Sequence, residues 1–418
     1  MELNRVVVTG LGALTPIGNN KAEFWNGLIS GKSGAGPITY FNTDNFKTKF
    51  ACELKNFDVL NYIDGKDAQK MDPCAHYAMV AAQEAIRDAN ITSENINPER
   101  VGVILGTGIG GYTSSVASVF AYIDMNKVPR FSPFFLPKVL GNLISGWISI
   151  KYGFKGPNYI TTAACASSAA AIADAFHLIQ LGKADIIVSG GSEASIVDPA
   201  IGGFNSMRAL STRNDEYLTA SRPFDVSRDG FVMGEGAGIL ILEELDHALA
   251  RGAKIYAEVG GIGMSADAYH MAAPDPSGSA CYQSMKLALE DAGLQITDID
   301  HINTHSTSTQ LGDIAECKAI EMLFGDTARQ LLISATKSMT GHLLGAAAAV
   351  ESVATILAIQ NSIAPPTMHL NEPDPAINPD WNLVANHAIH HEIRAAISNS
   401  FGFGGHNISL LYKKYLQS

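Results

Sequence analysis

Three residues carry the chemistry open to this sequence: one cysteine and two histidines, each placed where a short apolar run ends in a turn. ITTAACASSAAAIAD at 160–174 sets Cys165 between a β-branched run and an Ala-rich stretch that reads as a tightly packed helix. At a strand-to-helix turn the helix amides point outward and the dipole favours an anion. A thiol there is expected to have a lowered pKa and to act as a nucleophile near neutral pH. Taken alone, Cys165 reads equally well as a small buried hydrophobe, since free cysteine is among the most buried residue types. NTHSTST at 303–309 puts His305 just after a strand, before a run of hydroxyls, and KSMTGHLLGAA at 337–347 puts His342 at a turn of the same kind. Either histidine alone reads as a hydrogen-bonded structural residue. Two histidines and a cysteine at strand-end turns opening on one face of a sheet are harder to explain by packing. SNSFGFGGHN at 398–407 adds a glycine-rich loop bearing Phe401 and Phe403. Its freed amides could form an oxyanion hole and an aromatic ring there could close a pocket, although a β-turn with two core aromatics fits the same residues.

The elements that must position these residues are short strands alternating with amphipathic helices. RVVVTG, VGVILG, ADIIVSGG and GAGILILEEL in the first part, and KIYAEVGGIG, DIDHINTH, LLISAT and AAISNSFG in the second, imply βαβ units with buried, largely parallel sheets. The chain also repeats itself. NYITTAACASSAAAIADAFHLIQLGKADIIV and LLISATKSMTGHLLGAAAAVESVATILAIQNS share one plan of β run, polar-small turn and Ala-rich helix, which sets His342 at the turn equivalent to that of Cys165. VVVTGLGALTP near the start has its counterpart in IYAEVGGIGMSADAYH. Two related α/β halves, 1–250 and 251–412, are expected, joined near LDHALARGAK. FAYIDMNKVPRFSPFFLPK, rich in Pro and aromatics, reads as a packed crossing segment or a subunit interface.

Composition narrows the function. With 418 residues, 46% hydrophobic and 17% charged, the chain can bury one large core or two to three ordinary ones. A net charge of −12 argues against general nucleic-acid or anionic-membrane binding, so an acidic partner would need a local basic patch. No signal-like N-terminus and no run of 18 uncharged apolar residues is evident. Five scattered cysteines without CxxC pairs fit free thiols in the cytoplasm. GTGIGG at 106–111 matches the dinucleotide fingerprint, but no second strand ending in an acidic residue follows it, and its glycines read as tight turns. HExxH is absent, and HAIHHE at 387–392 reads as a half-exposed strand with solvated imidazoles, so no metal is expected.

Together these residues closely resemble the β-ketoacyl-acyl-carrier-protein synthases, and within them the type II elongation enzymes of fatty acid synthesis. The likeness runs from VVVTGLGALTPIG through SRPFDVSRDGFVMGEGAG (221–238) and NTHSTSTQLGD to GFGGHN. It implies a thiolase-like fold, two duplicated α/β halves in a five-layered α-β-α-β-α arrangement, in a cytoplasmic homodimer. It also implies decarboxylative Claisen condensation, with Cys165 taking the acyl group from acyl carrier protein. His305 and His342 would donate to the malonyl thioester oxygen as CO2 leaves, and the amides of Cys165 and Phe401 would hold the oxyanion. Lys337 and Glu351 resemble the family's ion pair, Thr307 and Thr309 the hydroxyls that bind the pantetheine arm, and Phe401 the gate, with Phe403 beside it at the pocket. Ile109 resembles the residue limiting the acyl pocket. Lys66, Lys70, Lys127, Arg130 and Arg208 are candidates for docking the acidic carrier protein. No cofactor of its own is implied, because the substrates carry phosphopantetheine.

Four positions depart from the family's pattern. Ser168 stands where a glycine is usual, NTHSTST replaces NAHGTST at Thr304 and Ser306, and Ala348 replaces another glycine. Side chains there are expected to narrow the packing behind the site or to alter loop backbone. They leave open a ketosynthase of a specialised polyene or polyketide pathway. A non-catalytic chain-length partner subunit would not need the nucleophile that Cys165 preserves. A degradative thiolase would need a second cysteine beyond Cys317, an initiating synthase an asparagine in place of His342, and an unrelated cysteine hydrolase would have no need of Lys337 or a second histidine.

Overall fold

The computed structural model describes residues 3–416. Ten strands form one sheet: β1 Val6–Leu14, β2 Val101–Gly106, β3 Asn158–Thr161, β4 Ile186–Glu193, β5 Gly236–Glu244, β6 Ala257–Ala266, β7 His301–Asn303, β8 Leu332–Ser334, β9 Ala395–Gly402 and β10 His406–Lys413. Their order is β8-β7-β9-β10-β6-β1-β5-β4-β2-β3. The two halves mirror each other about the β1/β6 junction, where Val6 faces Val259 and Val8 faces Ala257 in antiparallel register.

Only the outer strands are parallel. β2 runs parallel to β3 and β4, and β7 parallel to β8 and β9. The five contacts nearer the centre, β4/β5, β5/β1, β1/β6, β6/β10 and β10/β9, are antiparallel. The expectation of largely parallel sheets is corrected on this point. One cause is local: β9 and β10 are joined by only Phe403–Gly405, and so tight a connection permits antiparallel pairing alone.

The strands read as continuous apolar runs because helices cover both faces. α1 (Pro73–Asp88) and α3 (Leu143–Tyr152) lie outside the first half, and α5 (Ser279–Ala292) and α6 (Gln310–Phe324) outside the second. Between the halves lie α4 (Ser167–Gln180) and α7 (Ala347–Asn361), giving five layers. Close packing explains two early glycines: a Cβ on Gly10 would stand 2.3 Å from the Ala85 carbonyl oxygen of α1, and one on Gly12 2.0 Å from that of Ala81.

The central helices are Ala-rich because they are surrounded. Every residue of α7 from Ala347 to Ile359 is buried, Glu351 included. The segment Leu344–Asn361 is long and apolar enough to cross a bilayer, but it is the core helix of this fold. α2 (Tyr112–Asp124) and the segment after it contrast with this: Val119, Phe120, Ile123, Val128, Phe131 and Leu136 are all exposed.

Candidate active site

Cys165 lies in the short loop between β3 and α4, two residues before the helix begins. The loop is strained, since Ala164 has φ +49°, a conformation that alanine rarely adopts. Ser167 braces it: its hydroxyl donates to the Ala164 carbonyl at 2.6 Å and accepts from the Ala163 amide at 2.9 Å. From β9, the Ser400 hydroxyl donates to the Cys165 carbonyl at 3.0 Å. His342 occupies the matching place in the second half, just before α7, where its amide donates to the Val232 carbonyl at 2.7 Å. The two turns meet, with His342 Nε2 3.1 Å from Cys165 Sγ.

His305 follows β7, and its ring centroid lies 5.4 Å from that of His342 at an interplanar angle of 88°. Glu316 of α6 holds the loop, accepting from the amides of His305 at 2.9 Å and Ser306 at 2.8 Å, the Ser306 hydroxyl at 2.8 Å and Asn399 Nδ2 at 3.0 Å. Burial, and the Lys337 ammonium after it, drive the pKa of both histidines well below the usual imidazole value. Both rings are therefore uncharged at neutral pH. Lys337 pairs with Glu351 inside the core, both almost fully buried, and burial raises the Glu351 pKa against the pull of the lysine.

The thiol does not follow the sequence expectation. Burial pushes Cys165 up to about 11, outweighing the Phe403 amide, Lys337 and its own amide, all of which favour the thiolate. The resting group is thus a thiol beside a neutral imidazole able to take its proton, rather than a preformed thiolate.

A second correction concerns the glycine-rich loop. β9 continues to Gly402, and Phe401 stays in the ladder opposite Asn407, its ring packed on the second-half core 5.8 Å from the His305 ring. The amide aimed at the sulfur together with that of Cys165 is the one of Phe403, not Phe401. Phe403 also ends a chain of aromatic rings: its centroid is 6.4 Å from Phe204, which is 5.2 Å from Phe231, which is 5.4 Å from the His342 ring. Phe204 and Phe231 were not singled out in the sequence, because nothing local ties a helix end and a strand-like turn to residues 342 and 403.

The remaining expected residues fall around this centre. Thr307 and Thr309 bring their hydroxyls within 3.2 Å of each other, on the loop that carries His305. Ile109 is 45% exposed in the loop before α2, its amide donating to buried Glu193, which also accepts from Gly108 at 2.7 Å and Gly345 at 3.1 Å. Lys66, Lys127, Arg130 and Arg208 are exposed and, among the described residues, free of ion pairs, whereas Lys70 is paired with Asp67 at 2.8 Å. None of the four departing positions has positive φ. All four are buried.

Comparisons with known proteins identify the family. The family model described as "Beta-ketoacyl synthase, N-terminal domain" matches residues 3–248, and that described as "Beta-ketoacyl synthase, C-terminal domain" matches residues 256–371. The chain belongs to the β-ketoacyl synthase family. A 3-oxoacyl-[acyl-carrier-protein] synthase 2 from Synechocystis sp. is 48% identical over 99% of both chains. The solved ishigamide ketosynthase/chain length factor superposes with a TM-score of 0.93 at 33% identity, over 99% of this chain and all of that one. A type II polyketide ketosynthase solved in complex with its acyl-carrier protein, and bound to a hexaketide, gives 0.91 at 32% identity over the same shares. The fold is accordingly the thiolase-like fold of ketosynthases, and the family's members are acyltransferase-type condensing enzymes.

Proposed function

We propose that this β-ketoacyl synthase elongates acyl chains in fatty acid biosynthesis, condensing malonyl-acyl carrier protein with an acyl group held on Cys165. The observation that carries the reading is the 3.1 Å approach of His342 Nε2 to Cys165 Sγ, with the neutral His305 ring alongside.

In the first half-reaction Sγ attacks the acyl thioester as His342 takes its proton. The new C–S bond replaces the old one, and the pantetheine thiolate leaves with that proton. The Cys165 and Phe403 amides suit the oxyanion formed on the way. In the second, malonyl thioester loses CO2, and the electron pair of the broken C–C bond moves into an enolate. Neutral imidazole N–H groups at His305 and His342 suit the negative charge developing on the thioester oxygen. The enolate carbon then attacks the acyl carbonyl, a C–C bond forms, the C–S bond to Cys165 breaks, and one proton restores the thiol. Lys337, held by Glu351, fixes geometry, and its charge helps keep the imidazoles neutral.

Thr307 and Thr309 bind the pantetheine arm, Phe403 with Phe204 and Phe231 forms the aromatic wall of the acyl path, and Ile109 limits it. The exposed cations Lys66, Lys127, Arg130 and Arg208 receive the carrier protein. The exposed apolar residues of α2 and its following segment, with the outermost strand β3, form the surface on which a second copy packs. The enzyme works in the cytoplasm with no cofactor beyond the phosphopantetheine of its substrates.

The test is to combine purified protein with malonyl- and acyl-carrier protein across saturated and polyunsaturated primers. CO2 and 3-oxoacyl-carrier protein are expected from saturated medium-chain primers without added metal or nicotinamide. Absence of both products at every length would overturn the reading, and turnover of polyunsaturated primers alone would move the enzyme to a specialised pathway.

A further inference from the structure

α7 begins at the centre of the molecule, and the first amides of a helix have no partner within it. Residues 346–349 are all buried, so water does not reach them, and Ala346 at the cap position offers no side-chain acceptor. The preceding turn takes the amides of Ala346 and Ala347 on the Leu343 and Leu344 carbonyls, and the acceptor for Ala349 comes from the other central helix. Ser168, in the first turn of α4 and fully buried, takes the Ala349 amide on its hydroxyl at 3.0 Å. Ser168 itself has little room to move: a Cβ on Gly191 would lie 2.6 Å from its Cβ, and one on Gly106 2.3 Å from its amide.

Ser168 is three residues beyond Cys165 on the same turn-and-helix unit, and Ala349 seven beyond His342 on the other. The bond therefore joins the two rigid units whose leading turns supply the sulfur and the imidazole. Ser167, its neighbour, braces only the loop of Cys165. We propose that Ser168 is a positioning residue for the condensation: by capping α7 from α4, it fixes the separation of Cys165 Sγ and His342 Nε2. The proposal rests on the reading of Cys165 and His342 given above.

If the two helices lose this bond they retain their apolar contact but not their register. The histidine then takes the thiol proton less effectively, while His305 and Glu316, anchored on the second half alone, stay in place. Decarboxylation of malonyl thioester should suffer less than capture of its carbanion by the acyl-enzyme.

The experiment compares wild type with Ser168→Ala and Ser168→Cys, the latter retaining shape with a weaker acceptor. Three quantities are read: the rate of Cys165 alkylation by iodoacetamide from pH 6 to 10, the ratio of CO2 released to 3-oxoacyl product, and the melting temperature. For Ser168→Ala, alkylation near pH 7.5 should fall about tenfold and CO2 release should exceed product formation by at least about twofold, with Ser168→Cys between it and wild type. Unchanged alkylation profile and a one-to-one CO2:product ratio, with or without a lower melting temperature, would overturn the proposal and leave Ser168 a packing residue. If Ser168→Ala does not fold, Ser168→Cys decides on the same two readouts. Wild type that alkylates at Cys165 but makes no product would instead refute the condensation reading, and the alkylation profiles would still judge the role of Ser168.

Discussion

Gly402 offers the sharpest perturbation of the oxyanion site. It lies in the Phe401–Gly402–Phe403 run with no left-handed φ, so alanine is conformationally allowed there and any effect must come from contact. An added Cβ would stand 2.7 Å from the Ala163 carbonyl oxygen and 3.2 Å from the Cys165 amide nitrogen, both backbone atoms of the strained loop. Real Cβ atoms do not approach below 3.0 Å, so one of the two loops must retreat, and reaching ordinary contact at 3.4 Å takes about 0.7 Å, past the ~0.5 Å within which a catalytic donor stays effective. The loop bearing Phe403 is the freer one, since the Cys165 loop is held by Ser167 and Ser400. Losing one oxyanion donor costs on the order of 10²-fold in rate, about 2.7 kcal/mol. Gly402→Ala should therefore transfer acyl groups to Cys165 about 10²-fold more slowly, measured by quenched-flow mass spectrometry of the intact protein. Decarboxylation of malonyl-carrier protein, which draws on His305 and His342, should change less than about fivefold. Acyl transfer at the wild-type rate would refute the placement of the Phe403 amide.

Three further outcomes follow from the same geometry. Lys337→Met leaves Glu351 buried without its partner and should cost about 3–5 kcal/mol in denaturant unfolding, whereas Lys337→Met with Glu351→Gln should recover a good part of it. Burial lowers His301 from 6.5 to about 4, so the unfolded chain binds the extra proton first as pH falls. This stabilisation is complete above about pH 6.5 and lost as pH drops toward 4, about 2 kcal/mol of it by pH 5; urea titrations at pH 7.5 and 5 should show a smaller loss for His301→Asn than for wild type. Lys66→Glu and Arg208→Glu should raise KM for carrier-bound acyl groups severalfold, an effect that shrinks with added salt, while a small pantetheine thioester reacts as before.

Much of the candidate site was legible because its residues sit at strand ends. Cys165 and His342 occupy the same turn of a repeated unit, and a repeat places equivalent turns around a common axis whatever their side chains. A distance in the sequence of 177 residues thus collapses to a contact of 3.1 Å. What could not be read depended on burial and on where a strand stops. The helix dipole argued for a thiolate at Cys165, but sequence does not report how completely the loop is enclosed, and desolvation outweighs the nearby donors. Phe401 was assigned the amide that belongs to Phe403 because β9 runs two residues further than its apolar pattern, through Phe401 and Gly402. Ala164 gave no hint of its left-handed backbone, as alanine carries no such preference. The largely parallel sheet was inferred from alternation of strands and helices, which is silent on the return connections that make the centre antiparallel.

The central claim is that Cys165 carries the acyl chain and passes it to a carbanion made beside His305 and His342. The most direct measurement is the mass of the intact protein after incubation with acyl-carrier protein, before and after malonyl-carrier protein is added. One acyl adduct, absent in Cys165→Ser and discharged by malonyl-carrier protein as 3-oxoacyl product appears, is the predicted result. An adduct that persists on Cys165→Ser, or one on wild type that malonyl-carrier protein does not discharge, would contradict it.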